Sequence, residues 1–294
     1  MTSTIKIPKF GLNRHNKKSV AEFAADVLRA EHLGWDCAFL PDSQLSSRDT
    51  YVLLAAAAQA TKTITLGTLL VNPVNRHPSV TASSISTVAE LAPGRTILAM
   101  GAGDTSVRLV GLKPAKIKEL ESSVNLIKSL LNGEDVEVGS ALPAYLEFAQ
   151  QVPVWIAAGG PKTLEMAGAC ADGVFIRVGT DVKNIELSVN KIREGAEKAG
   201  KNPSSVKIGA VFHTVFSENE EEALLMSKSM AAGYYEYSPM LINNLELGWN
   251  GDHPDELKSK GLVWPDFHHS KNLVDSGKAV DFLSEKHADA FSLR

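Results

Sequence analysis

The amino-acid sequence predicts an α/β fold, a (β/α)8 TIM-type barrel, on two main observations. Short apolar runs that end in polar or glycine-rich turns alternate with amphipathic helical stretches. Thus 19–33 precedes Ala38-Phe39-Leu40-Pro41-Asp42, and 49–60 precedes an apolar run from Ile64 to Val71. Strands separated by helices of this length are βαβ units of a parallel sheet. The alternation also persists over about 200 residues, which suits a closed ring of such units, and the 294-residue chain has the usual size for one barrel. Barrels of this kind work where the loops after the strands gather, so the search for chemistry narrows to those loops.

The elements follow in order. A first strand lies within 7–13, and Ser19 caps the first helix, with Glu22 completing a capping box. Strand two covers 37–40, with Asp42 just beyond it, and Asp49 caps the next helix. Strand three runs over 63–71 until Asn72-Pro73 stops it, and Pro78 after Arg76-His77 suits a first helical turn. Pro93-Gly94-Arg95 feeds strand four, 96–100, which ends in Gly101-Ala102-Gly103-Asp104. The helix over 115–131 aligns Ile117, Leu120, Val124, Ile127, Leu130 and Leu131 on one face. After an irregular stretch over 133–151, strand five is 154–158, and Gly159-Gly160-Pro161 opens its helix. Strand six is 173–178 with a helix over 181–199; strand seven, 206–216, precedes a helix over 220–232. From 233 to 276 the pattern breaks down, with Tyr234, Tyr235, Tyr237, Trp249 and Trp264 set among Gly, Pro and Asn. That stretch reads as an irregular insertion able to cover the barrel mouth. A last helix over 278–286 leads to 288–293. The pattern supports seven strands within one domain, 1–294, and leaves the eighth in doubt.

Composition limits the function. A 44% hydrophobic and 22% charged chain suits a soluble protein with a large core. A net charge of −4 offers no basic field for nucleic acid or an anionic membrane. Cys37 and Cys170 lie far apart in apolar settings and read as buried small hydrophobes in a reducing cytosol. No run approaches the roughly 20 apolar residues of a membrane span. The start Met1-Thr2-Ser3-Thr4-Ile5-Lys6 lacks a signal-peptide core, so a cytoplasmic protein is expected.

Few residues stand where chemistry is expected. Ala157-Ala158-Gly159-Gly160-Pro161-Lys162-Thr163 is a strand-to-helix junction whose backbone amides and helix terminus suit an anion. On this pattern alone, a phosphate site and a plain tight turn are equally open. Gly101-Ala102-Gly103-Asp104 lacks the third glycine of a dinucleotide fingerprint, but brings Asp104 to the mouth. The other ionisable groups at strand ends are Asp42, Arg177 and His213. Asp42 and Asp104 follow strands two apart and are both able to reach one ligand; a cap or loop carboxylate is the plainer alternative for each. His77 stands at a helix start. His268-His269 are adjacent and cannot share a metal on one helical face, and no HExxH or CxxC pattern, P-loop or nucleophile elbow occurs, so no metal is expected.

Five segments together resemble the luciferase-like family, which joins flavin-dependent monooxygenases to oxidoreductases that use the deazaflavin coenzyme F420. They are Ala30-Glu31-His32-Leu33-Gly34-Trp35-Asp36 leading to Pro41-Asp42; Leu66-Gly67-Thr68-Leu69-Leu70-Val71-Asn72-Pro73 leading to Arg76-His77-Pro78; Gly94-Arg95 through Asp104; Pro153-Val154-Trp155-Ile156 through Pro161; and Gly168-Ala169-Cys170-Ala171-Asp172-Gly173-Val174. The pattern is most similar to the methylenetetrahydromethanopterin reductase-like branch. The resemblance implies a barrel with F420 at its C-terminal face and a non-proline cis peptide at Leu69-Leu70 backing the ring, beside Thr68 and Gly101. It implies that Asp42 lies near the ring edge and that Asp104 is the acid after strand four; both are candidates for ring contacts or for proton handling, with His77 and His213 as weaker alternates. It assigns the cofactor phosphate to Ala158, Gly159 and Gly160 with Arg177, Val178 and Gly179. Two departures stand out. Some relatives have a histidine after the strand-two aspartate or a glutamate ending strand one, where this chain has Ser43 and Asn13. The family also continues past the segment resembling 289–294 with a helix and a closing strand, so the barrel is expected to be incomplete there, with 288–293 as last strand or a partner subunit over the edge. The implied function is hydride transfer between F420 and a small organic substrate by a homodimer. The alternatives are an FMN-dependent monooxygenase and a non-catalytic flavin or deazaflavin binder.

Overall fold

The computed structural model describes residues 8–13 and 17–294; Ile7, expected in the first strand, lies outside them. The chain divides into two compact units, Met1–Ala157 with Ala169–Val174, and Ala158–Gly168 with Phe175–Arg294.

In the first unit, β1 (Gly11–Asn13), β2 (Cys37–Leu40), β3 (Thr65–Thr68), β4 (Thr96–Met100) and β5 (Val154–Ala158) pair in parallel and in chain order. Between them run α1 (Val20–His32), α2 (Thr50–Ala60), α3 (Pro78–Leu91), the short α4 (Thr105–Arg108) and α5 (Ile117–Leu131). The expected caps are in place: Ser19 and Glu22 form the capping box, Asp49 accepts from the Tyr51 and Val52 amides, and Pro78 opens α3. Each gives a first-turn amide a partner or removes one that would lack it. Of the six residues expected on one face of α5, Leu120, Val124, Ile127, Leu130 and Leu131 are buried, whereas Ile117, the first residue of the helix, is exposed. Within the stretch read as irregular before β5, Val136 and Ala144 form an antiparallel bridge.

One charged residue ties α1 to the start of β3. The Glu31 carboxylate accepts from the backbone amides of Lys62, Thr63 and Ile64, the last two at 2.7 and 2.8 Å. Burial pushes its pKa up, but the Ile64, Thr63 and Lys62 amides outweigh this and hold it at about 2. A depressed folded pKa stabilises fully above the unfolded value and is lost as pH falls through the folded one. Stability should therefore decline between about pH 4.5 and 2 through this group. Glu31→Gln should lose about 1–2 kcal/mol at neutral pH in urea titration and flatten that decline.

The second unit contains α6 (Pro161–Cys170), β6 (Gly173–Ile176), α7 (Val182–Lys198), a 3-10 turn (Pro203–Ser205), β7 (Lys207–Ala210), β8 (His213–Thr214) and α8 (Glu220–Tyr237), then α9 (Met240–Asn243), α10 (Pro254–Ser259), α11 (Leu273–Lys278), α12 (Glu285–Phe291) and β9 (Ser292–Leu293). The strands stand in the order β1 to β7, and β8 pairs in parallel with β9. A sheet of seven strands in chain order, with helices between them, is the architecture of an incomplete barrel. Helices α6 and α7 meet backbone to backbone, since a side chain at Gly168 would strike the Ile192 carbonyl and one at Gly195 the Glu165 carbonyl.

Several expectations are corrected. The long seventh strand is two pieces, because Val211 donates to the Ile176 carbonyl and β8 then turns to β9. Helix α8 continues through Tyr237, so the stretch from 233 begins as helix and continues through three short ones. The helix expected over 278–286 is absent. Instead Asn272 caps α11, which ends at Lys278, and Ser284 with His287 starts α12. Residues 288–291 are helical, and the strand is only Ser292–Leu293. Strand six stops at Ile176, just before the turn in which Gly179 has φ +86°.

Candidate active site

At the C-terminal ends of β2, β3 and β4 the ladder is interrupted. Leu69 donates to the Leu40 carbonyl at 2.7 Å and the Leu70 carbonyl accepts from the Asp42 amide at 3.2 Å, whereas Val71 turns to β4 and donates to the Ala99 carbonyl at 3.0 Å. Strand β3 therefore ends at Thr68 rather than Val71, and Leu69–Leu70 forms a bulge whose peptide bond is cis. The Thr68 hydroxyl both donates to the Ala99 carbonyl and accepts from its amide, at 2.8 and 2.9 Å. Its side chain is thus committed to the sheet.

Gly101 lies against the bulge, and a Cβ there would stand 2.9 Å from Leu70 Cδ2. The end of a leucine can swing away at small cost, so Gly101→Ala should fold with a loss of about 1 kcal/mol. It should nevertheless displace Leu70 and lower affinity for any ligand resting on the bulge, which equilibrium titration would measure.

Asp42 is 4% exposed. One carboxylate oxygen pairs with Arg76, whose guanidinium also reaches Asp49 at 2.6 Å and lies over the Tyr51 ring at 5.2 Å. The other oxygen, Oδ1, is buried with no hydrogen-bond partner. Burial pushes the Asp42 carboxyl up from the usual carboxylate range against the pull of Arg76. Asp104 is placed differently: a third of its side chain is exposed, and it pairs with Arg108 at 2.8 Å. Loop contacts nearby run from Gln44 to the Ser106 carbonyl and to Asn75, and from Asn72 to Ser106. His77 is exposed and accepts from the Ser79 amide as the cap of α3, so its Nδ1 serves the helix.

In the second unit the junction of Ala158 with α6 is a bare backbone turn. Gly159 approaches the Arg177 backbone so closely that a Cβ would lie 2.9 Å from the Arg177 carbonyl, whereas a Cβ at Gly160 would meet nothing within 4 Å. The Arg177 amide donates to the Ala158 carbonyl at 3.1 Å. A ten-residue helix opening at such a turn has first-turn amides without intrahelical partners and partial positive charge at that end. Val178 is buried, and Gly179 packs on Ala290 and Phe291, so both contribute main chain alone. The Arg177 side chain is held in a ring cluster. Its Nη2 donates to His268 Nδ1 at 2.7 Å, and the guanidinium lies 5.8 Å from the centres of both Tyr234 and Tyr237. His213 contacts the Tyr234 hydroxyl at 3.2 Å and stacks on His268 at 4.5 Å. Burial first and the Arg177 charge second push the His213 pKa down to about 3, so this histidine is neutral near neutral pH.

Sequence reasoning missed Arg76 as the partner of Asp42, although it lies in the quoted Arg76-His77-Pro78 segment. It also missed His268, which adjacency to His269 had brought up only in connection with metals.

A parallel sheet in chain order with helices between its strands defines a barrel-type scaffold. The chain belongs to the luciferase-like monooxygenase family, whose model matches residues 2–263. It is 33% identical over 223 residues to a 5,10-methylenetetrahydromethanopterin reductase of Methanolobus tindarius, covering 73% of this chain and 67% of that one. It is 30% identical over 241 residues to an F420-dependent glucose-6-phosphate dehydrogenase of Amycolatopsis mediterranei, covering 74% and 70%. The solved structure of a coenzyme F420 dependent tetrahydromethanopterin reductase from Methanopyrus kandleri aligns with a TM-score of 0.77 at 24% identity, over 97% of this chain and 85% of that one. Among the described residues no helix is long and apolar enough to cross a membrane.

Proposed function

We propose that this protein is an oxidoreductase transferring a hydride between coenzyme F420 and a small organic substrate, as a homodimer. The observation that carries this reading is the similarity, at 30% identity or more over about three quarters of the chain, to a methylenetetrahydromethanopterin reductase and to an F420-dependent dehydrogenase. The residues present fit such a group. The open space beside Gly160 suits a phosphoryl group, and the orphaned Asp42 Oδ1 suits a donor on a ligand.

In this reading Ala158, Gly159 and Gly160, with Arg177 and the main chain of Val178 and Gly179, hold the phosphate. The Leu69–Leu70 bulge, with Gly101 and the Thr68 main chain, supports the ring. Bound F420 supplies the carbon that accepts or gives a hydride. Asp42, raised by burial, accepts a hydrogen bond or holds a proton at Oδ1. Asp104, more exposed and paired with Arg108, exchanges protons with water. Of the two alternates, His77 is committed to capping α3, and the neutral His213 acts as an acceptor or relay rather than as an acid.

Mixing the protein with reduced F420 in air tests the chemistry. Reduced cofactor should persist until a small organic acceptor is added and should then be oxidised in step with it. Rapid oxygen uptake with reduced FMN, and none of this behaviour with F420, would overturn the reading in favour of a monooxygenase.

A further inference from the structure

Arg177 is unusual among the charges of this protein. Among the described residues no carboxylate forms an ion pair with it; its guanidinium is hydrogen-bonded to His268 and to the Tyr234 hydroxyl and lies near the Tyr234 and Tyr237 rings. A partly buried cation that lacks an acid is normally costly, and it becomes favourable when an anion arrives. Its own main chain adjoins the Gly159–Gly160 turn through the Ala158 carbonyl.

The histidine that grips it is fixed on every side. His268 Nε2 contacts the Met230 carbonyl at 3.0 Å, and a carbonyl only accepts, so Nε2 carries the proton and Nδ1 presents a lone pair. That lone pair receives the Arg177 N–H at 2.7 Å. The ring stacks on His213 at 4.5 Å and on Tyr237 at 5.6 Å, meets Tyr234 edge-on at 5.0 Å, and sits where α8 has no side chain, because a Cβ at Gly233 would collide with it. Protonation would put a second cation against Arg177. Burial, and then that charge, push the His268 pKa well down, so the accepting tautomer persists.

We propose that His268 is a positioning residue. Its neutral Nδ1 holds the Arg177 guanidinium in place to receive the phosphoryl group of the bound cofactor. This inference rests on the F420 reading above and adds to it a residue 91 positions from the arginine it orients.

Fluorescence titration of the full chain with F420, and with the deazaflavin riboside that lacks the phosphate, tests it. His268→Phe keeps a ring in the stack but removes the acceptor. It should weaken F420 binding about tenfold or more and leave riboside binding within about twofold. His268→Gln, whose amide can accept from Arg177 and donate to Met230, should restore most of the loss. An equal loss for both ligands, or no loss for either, would overturn the inference, the former by showing a purely structural role. A second readout needs no variant. In wild-type protein labelled with ¹⁵N-histidine, His268 should show the Nε2–H tautomer, and its Nδ1 signal should shift with F420 but not with the riboside. The opposite tautomer, or an Nδ1 signal indifferent to F420, would overturn the proposal. Wild-type protein that binds neither ligand would instead overturn the F420 reading, and this inference with it.

Discussion

Gly160→Val should abolish tight cofactor binding while leaving the fold intact. A Cβ at Gly160 meets nothing within 4 Å, so the added side chain costs the protein little through contact. It fills the space where an anion would approach the first amides of α6. Loss of that approach should weaken binding on the order of 100-fold, about 2.7 kcal/mol. Circular dichroism and the urea midpoint should stay close to wild type. Gly159→Val provides the contrast, since its Cβ would press on the Arg177 carbonyl at 2.9 Å. That variant should lose stability as well as affinity. Unchanged F420 affinity in Gly160→Val would remove the phosphate turn from the site.

The second large effect is expected at Arg76. Arg76→Met leaves the Asp42 carboxylate, 4% exposed, without its cation. Breaking a buried pair on one side typically costs 3–5 kcal/mol. Arg76 retains some solvent contact, with 21% of its side chain exposed, so a loss of about 2–4 kcal/mol in urea titration is expected. The pH dependence identifies the cause. Burial already raises the Asp42 carboxyl against the pull of Arg76, and without Arg76 that push is unopposed. A folded pKa above the unfolded value means stability present at low pH and lost as pH rises through the folded value. The single variant should therefore weaken as pH rises from acid toward neutral. Asp42→Asn combined with Arg76→Met should recover much of the loss and show no such slope. A single variant as stable as wild type at neutral pH would show that the pair contributes nothing.

What the sequence revealed were features whose causes are local. Ser19 with Glu22, Asp49 before its helix and Pro78 after His77 satisfy or remove amides within four residues, so the helix starts lie where expected. The apolar runs of β2, β4 and β5 are short, continuous and bounded by turns, which is what buried parallel strands require. What stayed hidden depends on contacts distant in sequence. Nothing around His213 reveals that its short strand leaves β7 to pair with Ser292–Leu293. Gly233 reads as a helix breaker, yet it lies inside α8 because the His268 ring occupies the place of its side chain. The aromatic stretch that reads as irregular is therefore partly the packing around Arg177. Asp42 could be picked out from its place after a strand, but its burial, its orphaned oxygen and its pairing with Arg76 follow from the folded loops alone.

The central claim, a deazaflavin-dependent hydride-transfer enzyme, is tested most directly by equilibrium fluorescence titration of the purified chain with F420 and, separately, with FMN. Saturable, tight binding of F420 and markedly weaker binding of FMN are expected. Preference for FMN, or binding of neither, would contradict it.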